Sequence, residues 1–169
     1  MYKPNLTIIG LMNNVNKKIA KQLSTALQMH LLNTNDLIEY ETGIKLNLFL
    51  NDYGEEYFYK YEKKLLGTLD KYENVLICTS CTALFDFENI KALAKTSYII
   101  ILTAQMQLIE ERIEKSRFCM KNSVLKNWET YIQNISENAN MYDIIIDTST
   151  ATPKDVVENI LKELNRIVK

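Results

Sequence analysis

A chain of 169 residues with 47% hydrophobic and 24% charged side chains is long enough for one domain with a substantial core and leaves little room for a second. Its 20 basic and 21 acidic residues leave a net charge of −1, which argues against a nucleic-acid surface, because counterion release needs clustered Lys and Arg. Small-anion binding stays open, since a helix N-terminus or a local cluster serves a neutral protein as well. The opening apolar run, Leu6–Gly10, is too short for a signal sequence and no stretch approaches the roughly 18 apolar residues of a membrane span. The odd set of three cysteines (Cys78, Cys81, Cys119) suits a reducing, cytoplasmic setting.

In chain order, Asn5–Gly10 reads as a strand apolar enough to be buried on both faces. Residues 16–29 follow with Ile19, Ala20, Leu23, Ala26 and Leu27 at helical spacing. Leu31-Leu32 is a short strand. Asn33, Thr34 and Asn35 cap or turn the chain into a helix near Asp36–Glu41, which Gly43 ends. Leu46, Leu48, Phe49 and Leu50 begin a helical insertion, and Glu55–Leu69 carries a stripe of Tyr57, Phe58, Tyr61, Leu65, Leu66 and Leu69. Further strands are expected at Asn74–Cys78, Tyr98–Leu102 and Asp143–Asp147. Helices are expected at Phe87–Ala94, Gln105–Lys115, Val124–Ile135 and from Pro153 onward, where Pro153 follows a capping Thr152. Five strands alternating with helices define an α/β domain, a parallel sheet covered on both faces. Ligands in such folds bind beyond the carboxyl ends of the strands, here near Gly10–Lys18, Asn33–Asp36, Thr79–Thr82, Leu102–Ala104 and the polar segment 116–122.

Over nearly its whole length the chain resembles the shikimate kinase family. The resemblance rests on Ile9-Gly10-Leu11-Met12, on Asn33-Thr34-Asn35 followed by Leu37-Ile38-Glu39 and Thr42-Gly43, and on Gly54-Glu55-Glu56-Tyr57-Phe58. Thr79, Glu110-Glu111-Arg112-Ile113, Ile146-Asp147-Thr148 and Pro153-Lys154-Asp155-Val156-Val157 extend it. It implies a three-layer, P-loop kinase-like sandwich with strand order 2-3-1-4-5, a substrate-binding helical region near 36–62, a lid near 114–122, and transfer of the terminal phosphoryl group of ATP to shikimate with Mg²⁺.

The departures from that pattern fall on the chemistry. Where a P-loop reads G-x-x-x-x-G-K-[ST], this chain reads Gly10, Leu11, Met12, Asn13, Asn14, Val15, Asn16, Lys17. A β-branched valine resists the geometry that the second glycine allows. Asn16 brings no charge to the phosphates, and a protonated lysine cannot ligate magnesium as the Ser/Thr would. On the substrate side, the family's D-[ST]-D element is Asn33-Thr34-Asn35, its arginine after Phe58 aligns with Tyr59, and its glycine triplet with Ser80-Cys81-Thr82. The arginine ahead of the last strand aligns with Asn134. Of the three arginines, Arg112, Arg117 and Arg166, only Arg117 falls at a ligand-facing place, in the lid.

Each remaining feature has two readings. Lys17 and Lys18 either meet an anion at a helix N-terminus, with Asn13–Asn16 as the rest of a nucleotide-binding-like loop, or form a solvated face. Asp36 is a base shifted one place from Asn35, or a surface or capping residue. Cys78 and Cys81 have C-x-x-C spacing but no second pair, so core filling competes with zinc or redox chemistry. His30, the single histidine, has no histidine partner. Tyr57, Tyr59 and Tyr61 cannot all share one helix face; some face solvent as a contact surface or fill the substrate cleft. The expectation is therefore a degenerate shikimate-kinase-like protein, catalytically inactive or impaired and needing no cofactor or metal, that acts as a binding or structural protein with a protein partner, a second copy of itself or a small anion. The alternative is an ATP- and Mg²⁺-dependent kinase on shikimate or a related hydroxylated substrate, with Lys17, Lys18, Asp36 and Arg117 as substitutes.

Overall fold

Three runs of β-branched and leucine side chains, Asn5–Gly10 (β1), Val75–Ser80 (β3) and Ser97–Thr103 (β4), form strands that are almost entirely buried, as expected where helices cover both faces of a parallel sheet. The computed structural model describes residues 3–10, 14–114 and 121–168. His30–Asn33 (β2) and Ile144–Asp147 (β5) are the edges, giving the parallel order β2-β3-β1-β4-β5. Both edge strands are partly exposed, at Leu31 and Ile145 for instance. The alternation of side chains along each strand divides the core in two. Leu6, Ile8, Leu76, Cys78 and Ile100 meet Asn14–Leu27 (α1) and Pro153–Ile167 (α8) on one face. Ile9, Ile77, Ile99 and Ile101 meet the other helices on the opposite face.

The capping residues act as expected. Asn33 Oδ1 accepts from Asn35 N at 3.0 Å and Asp36 N at 3.2 Å to start Thr34–Thr42 (α2), and Gly43, at φ 68°, ends it. Thr152 and Asp155 form a reciprocal capping box at the start of α8, with Pro153 in its first turn. The helical insertion and the tyrosine-rich stretch join as one element, Leu46–Leu66 (α3), kinked at Gly54, whose φ of 78° and ψ of 170° are not helical. Leu69 lies beyond it in a short 3₁₀ turn. Phe87–Ala94 (α4) and Met106–Glu114 (α5) follow the sequence reading closely. The helical material expected around Val124–Ile135 is two helices, Lys121–Lys126 (α6) and Trp128–Glu137 (α7), separated at Asn127.

Candidate ligand site at the carboxyl ends of the strands

Gly10 closes β1 where the chain turns toward α1. A Cβ built there would lie 2.5 Å from Asn16 Nδ2 and 3.1 Å from Leu102 Cβ, so only glycine fits this close approach. Asn16, at the expected lysine position, is 4% exposed, and its amide packs against Gly10 instead of projecting a charge outward. Val15 is half-buried, and Lys17 and Lys18 are exposed. Burial raises the Cys78 thiol, within β3, against an opposing pull from the Lys17 charge, and the Glu39 carboxyl in α2 is held down chiefly by the Leu46 amide and Lys45, with a small addition from Lys17. Asp36 acts on Cys78 in the opposite sense. Lys17 and Asp36 thus lie within electrostatic reach of Cys78; Asn13 and Arg117 lie outside the described residues, as does most of the lid-like stretch.

Sequence reasoning missed a buried acid among the expected substrate-side residues, Glu62. It lies on α3 and is 1% exposed, surrounded by hydroxyls. Thr82 Oγ1 donates to both carboxylate oxygens, at 3.0 and 2.8 Å, while Ser80 Oγ and Thr79 Oγ1 approach Oε1 at 3.4 and 3.5 Å. Thr34 Oγ1 donates onward to Thr79 Oγ1 at 3.1 Å, which ties the start of α2 into the same network. Burial pushes the Glu62 carboxyl up to about 7, against the opposing pull of these hydroxyls. A signal for it was present in the sequence: Glu62 falls on the stripe of Phe58, Leu65, Leu66 and Leu69, an acid four residues from one buried apolar side chain and three from the next.

The other expected substrate-side residues split. Ser80, Cys81 and Thr82 are all buried, so the side chains in place of the glycine triplet fill the interior around Glu62. Asn35 is 8% exposed, and its Oδ1 has no hydrogen-bond partner. Tyr59 is half-buried: its ring meets Phe85 edge-on at 5.8 Å and its hydroxyl donates to Glu55 Oε2 at 3.4 Å. Burial and the Glu55 charge hold the Tyr59 phenol well above its ordinary pKa. Ser123 of α6 donates to the same Glu55 oxygen. Asn134 is half-buried on α7, where its carbonyl accepts from the Asn138 amide. Arg112 serves the fold, bonding Thr148 through Nη1 at 2.9 Å and Nη2 at 3.0 Å, and Arg166 pairs with Glu163. His30 is exposed in the edge strand. Cys78 and Cys81 are free and buried, with burial raising both thiols to about 12, which leaves little reactive thiolate. No cluster of three or more metal-ligating side chains occurs among the described residues. No described helix is long and apolar enough to cross a membrane.

A five-stranded parallel sheet in this order, with a glycine turn leading from its central strand into α1, places the protein in the class of P-loop kinase-like α/β proteins. More narrowly, the chain belongs to the shikimate kinase family: the family profile described as shikimate kinase matches residues 17–165. The shikimate kinase of Thermodesulfovibrio yellowstonii is 25% identical over 166 residues, 96% of each chain. That of Caldanaerobacter subterraneus is 26% identical over 161 residues, 94% of each. Among solved structures, Acinetobacter baumannii shikimate kinase in complex with shikimate superposes with a TM-score of 0.81 at 18% identity, over 97% of this chain and 94% of that one. Aquifex aeolicus shikimate kinase gives 0.79 at 20% identity, over 97% and 98%. The structural likeness bears on the fold; the family follows from the sequence match.

Proposed function

We propose that this protein is a shikimate kinase relative in which ATP-dependent phosphoryl transfer is lost or strongly impaired, and which works by binding a ligand or partner. One observation carries the reading: the side chain at the P-loop lysine position, Asn16, is a neutral amide buried against Gly10. Catalysis of phosphoryl transfer is mostly positioning and charge stabilisation, and this position supplies no charge. The residues present do not fit magnesium either: Lys17 stands where a hydroxyl ligand is needed, and amides stand at Asn33 and Asn35 in place of carboxylates. The family match starts at Lys17, just past this loop. Exposed aromatic rings on α2 and α3 support a binding role. Tyr53 and Tyr57 stack at 5.3 Å beside Phe49, and Tyr40 is 86% exposed.

A second reading, an active kinase on shikimate or a related hydroxylated substrate, draws on the reach of the Lys17 charge toward Cys78 and Glu39 and on the naming of the matched relatives as shikimate kinases over nearly their whole length. ATP and Mg²⁺ belong to that reading. Calorimetric titration with ATP and Mg²⁺, with and without shikimate, followed by a coupled assay for ADP release, separates the two. The first reading expects no turnover and no Mg²⁺-dependent nucleotide binding below millimolar concentration. Micromolar, Mg²⁺-dependent binding with turnover would overturn it and establish the second.

A further inference from the structure

Beside the Glu62 network lies a cavity of about 330 Å³ between α3 and α4, lined by Tyr59, Glu62, Thr82, Phe85, Asp86 and Asn89. Its size is at the lower end of small-molecule pockets, which run from roughly 300 Å³. Its buried oxygens at Glu62 and Asn89 are acceptors, and the buried donors that line it, Thr82 Oγ1 and Asn89 Nδ2, are already committed to Glu62 and to the Ala83 carbonyl. Thr82 is the one donor to Glu62 Oε2, and the three hydroxyls around this carboxyl are neutral. Asn89 is 4% exposed; its Nδ2 donates to the Ala83 carbonyl at 3.2 Å, and its Oδ1 has no hydrogen-bond partner. A buried carbonyl oxygen left without a donor forgoes a hydrogen bond that water would have given it, so Asn89 marks a place where a donor is wanted. Tyr59 and Phe85, meeting edge-on, supply an aromatic wall on which a cation can rest. The two lysines on the cavity's margin, Lys60 and Lys63, are exposed and already paired with Glu56 and Asp86, each at a distance of 2.7 and 2.6 Å respectively.

We propose that this cavity takes a small organic cation, a primary ammonium or guanidinium on a short apolar body, held by the Glu62 carboxylate and the Asn89 carbonyl. The preference is opposite in sign to that of an arginine-lined clamp for a carboxylate. It follows from the replacement of the clamp arginine by Tyr59 together with a carboxylate that has no cationic neighbour among its bonded partners. It rests on the first reading above, in which this site no longer clamps an anionic substrate, although neither nucleotide nor metal enters the argument.

The test uses the full chain, ¹⁵N-labelled, at about pH 8, where Glu62, raised to about 7, is mostly ionised; it is titrated with n-butylamine hydrochloride and separately with sodium n-butyrate, a pair matched in size and opposite in charge. The amine is expected to move the Thr82 amide and the Asn89 side-chain amide resonances along a saturating curve, and butyrate to leave them in place. In Glu62→Gln, which keeps shape and hydrogen bonding, the amine affinity is expected to fall roughly tenfold, the size of one charge-assisted hydrogen bond. Butyrate binding at these resonances as tightly as the amine, or the amine binding Glu62→Gln undiminished, would overturn the proposal. Should the variant fail to fold, the comparison of the two ligands on the native protein still decides. Loss of kinase activity and absence of amine binding are read in separate experiments, so each can fail alone.

Discussion

Glu62 makes the stability of the protein depend on pH in a direction opposite to that of most carboxylates. Its buried carboxyl is raised from 4.5 to about 7, so the native protein keeps a proton there after the unfolded chain has released it. The stability contributed by this group is full below about pH 4.5 and is lost as pH rises through about 7. At about 1.4 kcal/mol per pH unit, the whole window amounts to roughly 3 kcal/mol. About 2.5 kcal/mol of that falls between about pH 5 and about pH 8.5. Glu62→Gln stays neutral throughout and keeps an oxygen for Thr82 and Ser80. Urea unfolding of both proteins at the two pH values, followed by circular dichroism, isolates the term, because every other titrating group is common to both. The variant is expected to gain about 2.5 kcal/mol on the native protein between the two conditions, or some 5–10 °C in melting temperature for a chain of this size. Parallel pH profiles for the two proteins would refute the reasoning, since they would mean that Glu62 titrates alike in the native and unfolded states.

Tyr131 is buried with its hydroxyl unpartnered, so Tyr131→Phe is expected to leave the fold intact and raise stability by about 1 kcal/mol, read as a higher denaturation midpoint; a drop of that size would show that the hydroxyl has a partner. Thr152→Ala removes the capping box of α8 and is expected to lower stability by about 1 kcal/mol, visible as a melting temperature about 3 °C lower. Restoring the loop with Val15→Gly, Asn16→Lys and Lys17→Ser together is expected to strengthen calorimetric Mg²⁺-ATP binding at least tenfold, by about 1.4 kcal/mol. An unchanged affinity would place the defect elsewhere than in the loop.

The fold was legible because its elements are marked by local chemistry. Apolar runs gave all five strands to within two residues, and Asn33, Gly43, Thr152 and Pro153 sat at the helix ends their side chains favour. Two boundaries were harder. The separation at Asn127 carries no proline or glycine, and Gly54 interrupts α3 without ending it, because aromatic contacts from Phe49 to Tyr53, Tyr57 and Tyr61 span the kink. In the site, the unusual loop residues could be read directly, but their burial could not. That Asn16 and Asn35 lie inside, while Lys17 and Asp36 lie outside, depends on packing against Gly10 and β3. Glu62 escaped notice because an acid within an apolar stripe looks like a surface residue until its hydroxyl partners, 17 to 20 residues further on, are brought around it.

At the opposite end of the sheet, two polar side chains do the work of fasteners. Asn5 is wholly buried at the start of β1, its Nδ2 donating to the Tyr72 carbonyl at 2.7 Å and its Oδ1 accepting from Val75 N at 3.1 Å. Asp143, just ahead of β5, accepts from Ile99 N at 2.8 Å and from Lys3 at 3.3 Å. A slip of one residue would strand the buried Asn5 amide in the first pairing, or break the bond from Ile99 N to the partly exposed Asp143 in the second, as well as turning the strand inside out. Alignment of the strands is thus keyed at the end remote from the candidate ligand site. The loops at the other end are relieved of that duty, and their residues are free to change chemistry while the sheet beneath them holds its order.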